Sequence, residues 1–191
     1  MKTNSSHRLT GPLRILAISC TVLALLWSSI AFAQQQATEF TTAKRYDLGG
    51  RVTGVIYARA NASARFPAER YTYNSKGLLV TVEYGSLAAW QNELVEPAGW
   101  SGFSQTHRTR YTYDEYGRKR SESRATAGGT RRTLTEFTYN EHGLLQCKKV
   151  VMGEDSLNSD PESACSGYSS NTYGADRVTE YTYDSNQNVL T

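Results

Sequence analysis

Signatures of enzyme chemistry are missing from this sequence. It has no Gly-x-Ser-x-Gly, no phosphate-binding loop and no dinucleotide fingerprint, which removes the commonest hydrolase, nucleotide and redox-cofactor classes. Histidine and cysteine occur three times each, without Cys-x-x-Cys or His-Glu-x-x-His spacing, so neither a metal site nor a cofactor is expected. Glu136, Glu141, Asp155 and Asp160 offer carboxylates, but nothing in their placement pairs them across a reacting bond. The expectation is a protein that is not an enzyme.

Long apolar runs are missing too, with one exception. Lys2, Arg8 and Arg14 precede an apolar run at 15–33 that closes on Ala31-Phe32-Ala33, the order of a signal peptide. A membrane anchor is the competing reading. Ser19, Thr21, Ser28 and Ser29 inside the run, and Gln34-Gln35-Gln36 after it, favour cleavage and leave no stable membrane span. Residues 1–33 are therefore read as a leader, 34–43 as a linker and 44–191 as one domain, secreted, periplasmic or at the cell surface.

Excess charge goes with the leader. The chain has 21 basic residues, three of them in the leader, against 18 acidic ones, so 18 face 18 after cleavage. Nothing global then favours nucleic acid as a partner, and Arg118-Lys119-Arg120 and Arg131-Arg132 read as solvated strand faces. Cys147 and Cys165 remain in a chain bound for an oxidising compartment, and are expected to form a disulfide.

Tyrosine is what the sequence has in quantity. One phrase recurs five times: Tyr46-Asp47-Leu48-Gly49-Gly50, Tyr73-Asn74-Ser75-Lys76-Gly77, Tyr113-Asp114-Glu115-Tyr116-Gly117, Tyr139-Asn140-Glu141-His142-Gly143 and Tyr183-Asp184-Ser185-Asn186-Gln187. Tyr71, Tyr111, Phe137 and Tyr181 stand two residues upstream in four copies, so eight of 13 tyrosines hold repeat positions, which chance does not produce. Residues i and i+2 share one strand face, so each aromatic pair predicts an apolar stripe and a place in the core. Asp47, Asn74, Asp114, Asn140 and Asp184 each open a turn. Gly50, Gly77, Gly117 and Gly143 each close a three-residue hairpin loop in the left-handed conformation. Return strands are predicted at 51–57, 78–84, 118–124 and 144–150. The fold expected is all-β, an antiparallel sheet of successive hairpins. The phrase tyrosines lie 27, 40, 26 and 44 residues apart, which predicts hairpin units with unequal insertions at 85–105 and 152–173.

The best copy, Tyr111-Thr112-Tyr113-Asp114-Glu115-Tyr116-Gly117-Arg118, resembles the unit of the YD-repeat or RHS-repeat family. The resemblance spans most of 44–191 and implies hairpins aligned into a long sheet that, in longer arrays, wraps into a shell. It implies a scaffold role, with a further RHS-repeat polypeptide or an enclosed toxin as partner. Lys44 replaces the upstream aromatic in the first unit and Gln187 replaces glycine in the fifth, and five units predict an open sheet, too short to close. The fifth return strand is short, so an open edge and association with a chain that continues the sheet are expected. Trp90 and Trp100 in the first insertion carry two readings: indoles that plug the sheet, or a stacking platform for a glycan, in keeping with the carbohydrate association of the family.

Overall fold

The computed structural model describes residues 41–153, 157, 163–166 and 174–190. The leader, most of the linker and much of the second insertion lie outside them. Within the compact unit Thr42–Thr191 the chain is all-β. Its strands are β1 (Ala43–Tyr46), β2 (Val52–Ile56), β3 (Phe66–Tyr73), β4 (Leu79–Leu87), β5 (Phe103–Tyr113), β6 (Lys119–Thr126), β7 (Arg131–Tyr139), β8 (Leu145–Val151) and β9 (Arg177–Glu180). They form one open sheet in sequence order, each strand antiparallel to the next.

The five phrases are five of its turns, four of them joining β1–β2, β3–β4, β5–β6 and β7–β8 and the fifth following β9. Asp47, Asn74, Asp114, Asn140 and Asp184 each accept two backbone N–H groups on Oδ1, from the second and fourth residues after them, at 2.8–3.0 Å. A side chain thereby replaces the ladder bonds that a tight turn cannot make. The register slips by one residue just before Tyr46, Tyr73, Tyr113 and Tyr139, the bulge that accompanies a left-handed residue in a three-residue loop. Gly50, Gly77, Gly117 and Gly143 have φ between 78° and 82°.

Gln187 takes the same conformation at φ 66°, the one non-glycine with positive φ among the described residues. The local turn bonds, including Asn188 N–H to Asp184 Oδ1 at 2.8 Å, hold it there. Gln187→Gly is expected to stabilise the fold by about 1 kcal/mol by removing the Cβ clash of that region. A higher denaturation midpoint at unchanged slope would record it.

The unequal spacing resolves into a regular plan. Hairpins β1–β2 and β3–β4 form one block and β5–β6 and β7–β8 a second, with close phrase spacing inside each block and a strap after it. The first strap is shorter than the predicted insertion at 85–105, because β4 runs on to Leu87 and β5 starts at Phe103. Gly85, Ser86 and Leu87 pair with Gln105, Ser104 and Phe103, and the buried Leu87 anchors the extension. The strap carries a single 3-10 turn, Pro97–Gly99.

This strap makes the main core. Trp100 packs with Ile56, Phe66, Ala68 and Leu87, and Trp90, Val95 and Phe103 close around them. Gly54 is the point of closest approach: a Cβ there would lie 2.6 Å from Pro97 and from the Trp100 ring. Polar bonds fix the strap, with Arg45 Nη2 donating to Gln91 O at 3.0 Å and Trp100 Nε1 to Val95 O at 3.2 Å. After the second block, Leu157 packs on Leu134 and Val151.

The repeat aromatics, expected in the core, are not there. Tyr71, Tyr73, Tyr111, Tyr113, Phe137, Tyr139, Tyr181 and Tyr183 are half-buried, and Tyr46 is 54% exposed. The register explains why. Arg70 and Ala68 share the strap face with Gly54 and Ile56, which puts Glu69, Tyr71 and Tyr73 on the other face.

Candidate functional site

The sheet has two faces of different character. The strap face holds the apolar clusters and, between β7 and β8, a buried ion pair: Lys149 Nζ lies 2.6 Å from Glu136 Oε2, with both side chains at most 6% exposed. Sequence reasoning missed this pair because the two residues are far apart in the chain, and only strand register makes them opposite. Glu141 lies on an exposed turn. Asp155 and Asp160 fall outside the described residues.

The open face is built by the tyrosines, and its main geometry is a bond between neighbouring hairpins. Tyr73 Oη donates to Val52 O at 2.8 Å, Tyr113 to Leu79 O at 2.7 Å, Tyr139 to Lys119 O at 3.0 Å and Tyr183 to Leu145 O at 2.7 Å. In every case the acceptor is the second residue after the turn glycine of the preceding hairpin. A half-buried ring is what this needs, since its hydroxyl must reach a neighbour's main chain. Tyr46 has no hairpin before it among the described residues and is exposed accordingly.

A second device alternates along the array. Where the turn opens with aspartate in the first and third hairpins, the fourth residue after it is arginine. Arg51 Nε bonds Asp47 at 2.7 Å and Arg118 Nε bonds Asp114 at 2.6 Å. The same guanidinium groups lie 4.8 Å from the Tyr73 ring and 4.6 Å from the Tyr139 ring of the following hairpin, within cation–π range. Where the turn opens with Asn74 or Asn140, the corresponding residue is Leu78 or Leu144, and Leu78 packs against the next turn at Gly117.

Hollows between the hairpins are open and modest. One of about 390 Å3 is lined by Asp47, Arg51, Tyr71, Tyr73 and strap residues Glu96 and Pro97, and one of about 290 Å3 by the matching Asp114, Arg118, Phe137 and Tyr139. Asp47 and Asp114 are already engaged in turn bonds. Elsewhere on this face Glu69 accepts the Tyr71 hydroxyl. Burial first, and that carboxylate second, push the Tyr71 phenol well above its ordinary value.

The turn aspartates titrate low. Backbone and side-chain bonds from Arg51 hold Asp47 below the ordinary carboxylate value. At Asp114 burial pulls upward, but the bonds from Arg118 outweigh it. The Asn188 side chain and backbone lower Asp184. A carboxylate whose folded value is depressed contributes stability above its unfolded value, about 3.9, and loses it as the pH falls through the folded one. Acid unfolding is therefore expected to begin below that value. Asp114→Asn should reduce the steepness of the acid limb measured by circular dichroism, because Asn74 and Asn140 show that the amide closes the same turn.

Of the two indoles proposed for a glycan platform, Trp100 is 4% exposed and in the core. Trp90 meets Phe66 edge-on at 5.5 Å. These positions fit the plug reading and give Trp100 no free face for a sugar. Cys147 and Cys165 are joined, with 18 residues of separation, and Ala164, beside the bridge, is fully buried. Among the described residues no group of three potential ligands is placed to hold a metal. No protein-family model matches the chain, and no curated protein matches it.

Proposed function

We propose that the chain is an exported scaffold of the YD/RHS-repeat type, a sheet whose open tyrosine face supports another polypeptide, either a further repeat array or a polypeptide that such an array encloses. The observation that carries this reading is the tyrosine bond repeated at four successive hairpin junctions. It uses the tyrosines of the phrase for assembly. A glycan site at Trp90 and Trp100 finds no support in their burial.

The assembly role has a direct check. Tyr113→Phe keeps the ring and removes the bond to Leu79 O, and is expected to cost about 1 kcal/mol in chemical denaturation. The function is tested by placing a photo-crosslinking amino acid at Tyr111 on the open face and, as a control, at the exposed Leu94 of the strap. Polypeptide adducts on the exported chain from position 111 but not 94 are the expected result. Adducts from neither position, or glycan adducts alone, would retire the scaffold reading. The leader is checked separately: mature material should begin at Gln34 by mass spectrometry.

A further inference from the structure

Strand β5 changes face once. Gln105 and Phe103 stand opposite Gly85 and Leu87, while Arg108 and Arg110 stand opposite Glu83 and Thr81, all on the strap face. Residues 105 and 108 cannot share a face in an unbroken strand, because side chains alternate. Thr106 is the extra residue: Tyr84 pairs with His107 and Gly85 with Gln105, a bulge that re-aims His107 onto the open face.

The bulge sets up a defined chain of bonds. Thr106 Oγ1 donates its proton to Tyr84 O at 3.0 Å, so the 3.1 Å contact between Thr106 Oγ1 and His107 Nδ1 needs a proton on Nδ1. On the other side, Arg124 Nη2 lies 2.7 Å from His107 Nε2. A guanidinium only donates, so Nε2 accepts and carries no proton. The partners thus assign a neutral ring with its proton on Nδ1. The ring stacks on Tyr84 at 4.5 Å and 14°. One imidazole on β5 therefore ties β4 to β6.

Protonation destroys this arrangement. A proton on Nε2 would point at the guanidinium, setting donor against donor and cation against cation. The charged and titratable neighbours do not offset it. Glu122 of β6 lines the same hollow, of about 390 Å3, with Tyr84, Thr109, Arg124 and Thr133, but its carboxylate is bonded to Lys119 Nζ at 2.8 Å. Glu69 of β3 stands opposite Tyr84, on its far side from β5, and holds the Tyr71 hydroxyl. Thr126 of β6 and Thr133 of β7 carry no charge. We propose that His107 is a pH-operated latch on the open face, closed across β4, β5 and β6 while its ring is neutral and released when the ring is protonated.

Burial first, and the Arg124 charge second, hold His107 below the ordinary histidine value. For a base depressed in this way, the latch contributes fully above the unfolded value, about 6.5, and is lost as the pH falls through the lower folded one. Arg124 is then released from the ring, and the hollow it lines changes shape.

Imidazole 15N spectroscopy of the exported chain, with amide exchange followed over the same pH range, decides the matter. The expected result is the Nδ1–H tautomer at neutral pH, with faster exchange of the amides at residues 124–126 as the ring protonates. Arg124→Gln keeps a donor for Nε2 without the charge, so its His107 should protonate at higher pH while the His142 signals stay where they were. An Nε2–H tautomer, a titration unmoved by Arg124→Gln, or amide exchange indifferent to ring protonation would each overturn the latch.

Discussion

Trp100→Ala is expected to destabilise the protein by about 3–5 kcal/mol, the range for emptying a large aromatic from a close-packed site. The ring is 4% exposed and sits where the strap meets Ile56, Phe66, Ala68 and Leu87. The cavity cannot collapse easily: Gly54 beneath the ring has no side chain to fill it, and the strap is pinned by Arg45 and by the Gln91 bonds to Ala89 O and Ser101 O. Against a total stability of about 5–15 kcal/mol for a domain, such a loss should show as a large fall in the denaturation midpoint. Trp100→Phe should recover part of it. An unchanged midpoint for the alanine variant would mean that the indole does not seal the core.

The second large effect is expected at the disulfide. Opening Cys147–Cys165, by reductant or by paired serine substitution, should cost roughly 3 kcal/mol in the chain-entropy model for a loop of this length. The neighbourhood adds a consequence. Cys147 is 2% exposed and lies two residues from Lys149 on the same strand, so opening the bridge is expected to loosen the strand that holds the Lys149–Glu136 pair against β7 and to admit water to it. Breaking one partner of a buried pair is costly because the other charge stays behind. Glu136→Gln should therefore be more damaging in the bridged protein, where Lys149 is still enclosed, than after reduction. A non-reducing peptide map giving free thiols at both cysteines would remove the premise.

Much of the fold was legible because the phrase is local chemistry. Asp or Asn, then glycine three residues later, determines turn, bulge and register within a handful of bonds, and Gln187 obeys the same geometry without the glycine. What was not legible depends on pairing over distance. The choice of face for Tyr71 and Tyr73 follows from where the strap lands, and that rests on Trp100, Pro97 and Gly54 meeting across nearly fifty residues of chain. The phrase spacing placed the two insertions, but that the first of them closes over the sheet as a strap shows only in the packing of Trp100 on Ile56, Phe66, Ala68 and Leu87. The bulge at Thr106 has no glycine or proline in its own strand; its one sign is Gly85 on the facing strand, where a Cβ would collide with Ser104 O, and without the pairing that glycine does not point to His107. The alternation of Asp47 with Arg51, Asn74 with Leu78 and Asp114 with Arg118 was on the page, but its meaning appears only when each arginine is seen over the next tyrosine.

The bond between neighbouring hairpins ends on a main-chain carbonyl, and its acceptors belong to three aliphatic residues, Val52, Leu79 and Leu145, and to one lysine, Lys119. Such a joint recognises position and ignores identity. Side-chain contacts are added one level up, where the arginine-bearing first and third hairpins precede the leucine-bearing second and fourth, and Leu78 at the end of the first pair meets the start of the second at Gly117. The natural unit of duplication or exchange is therefore two hairpins with their strap: a copy of 46–112 placed after 112 would join through the Leu78-type contact already present.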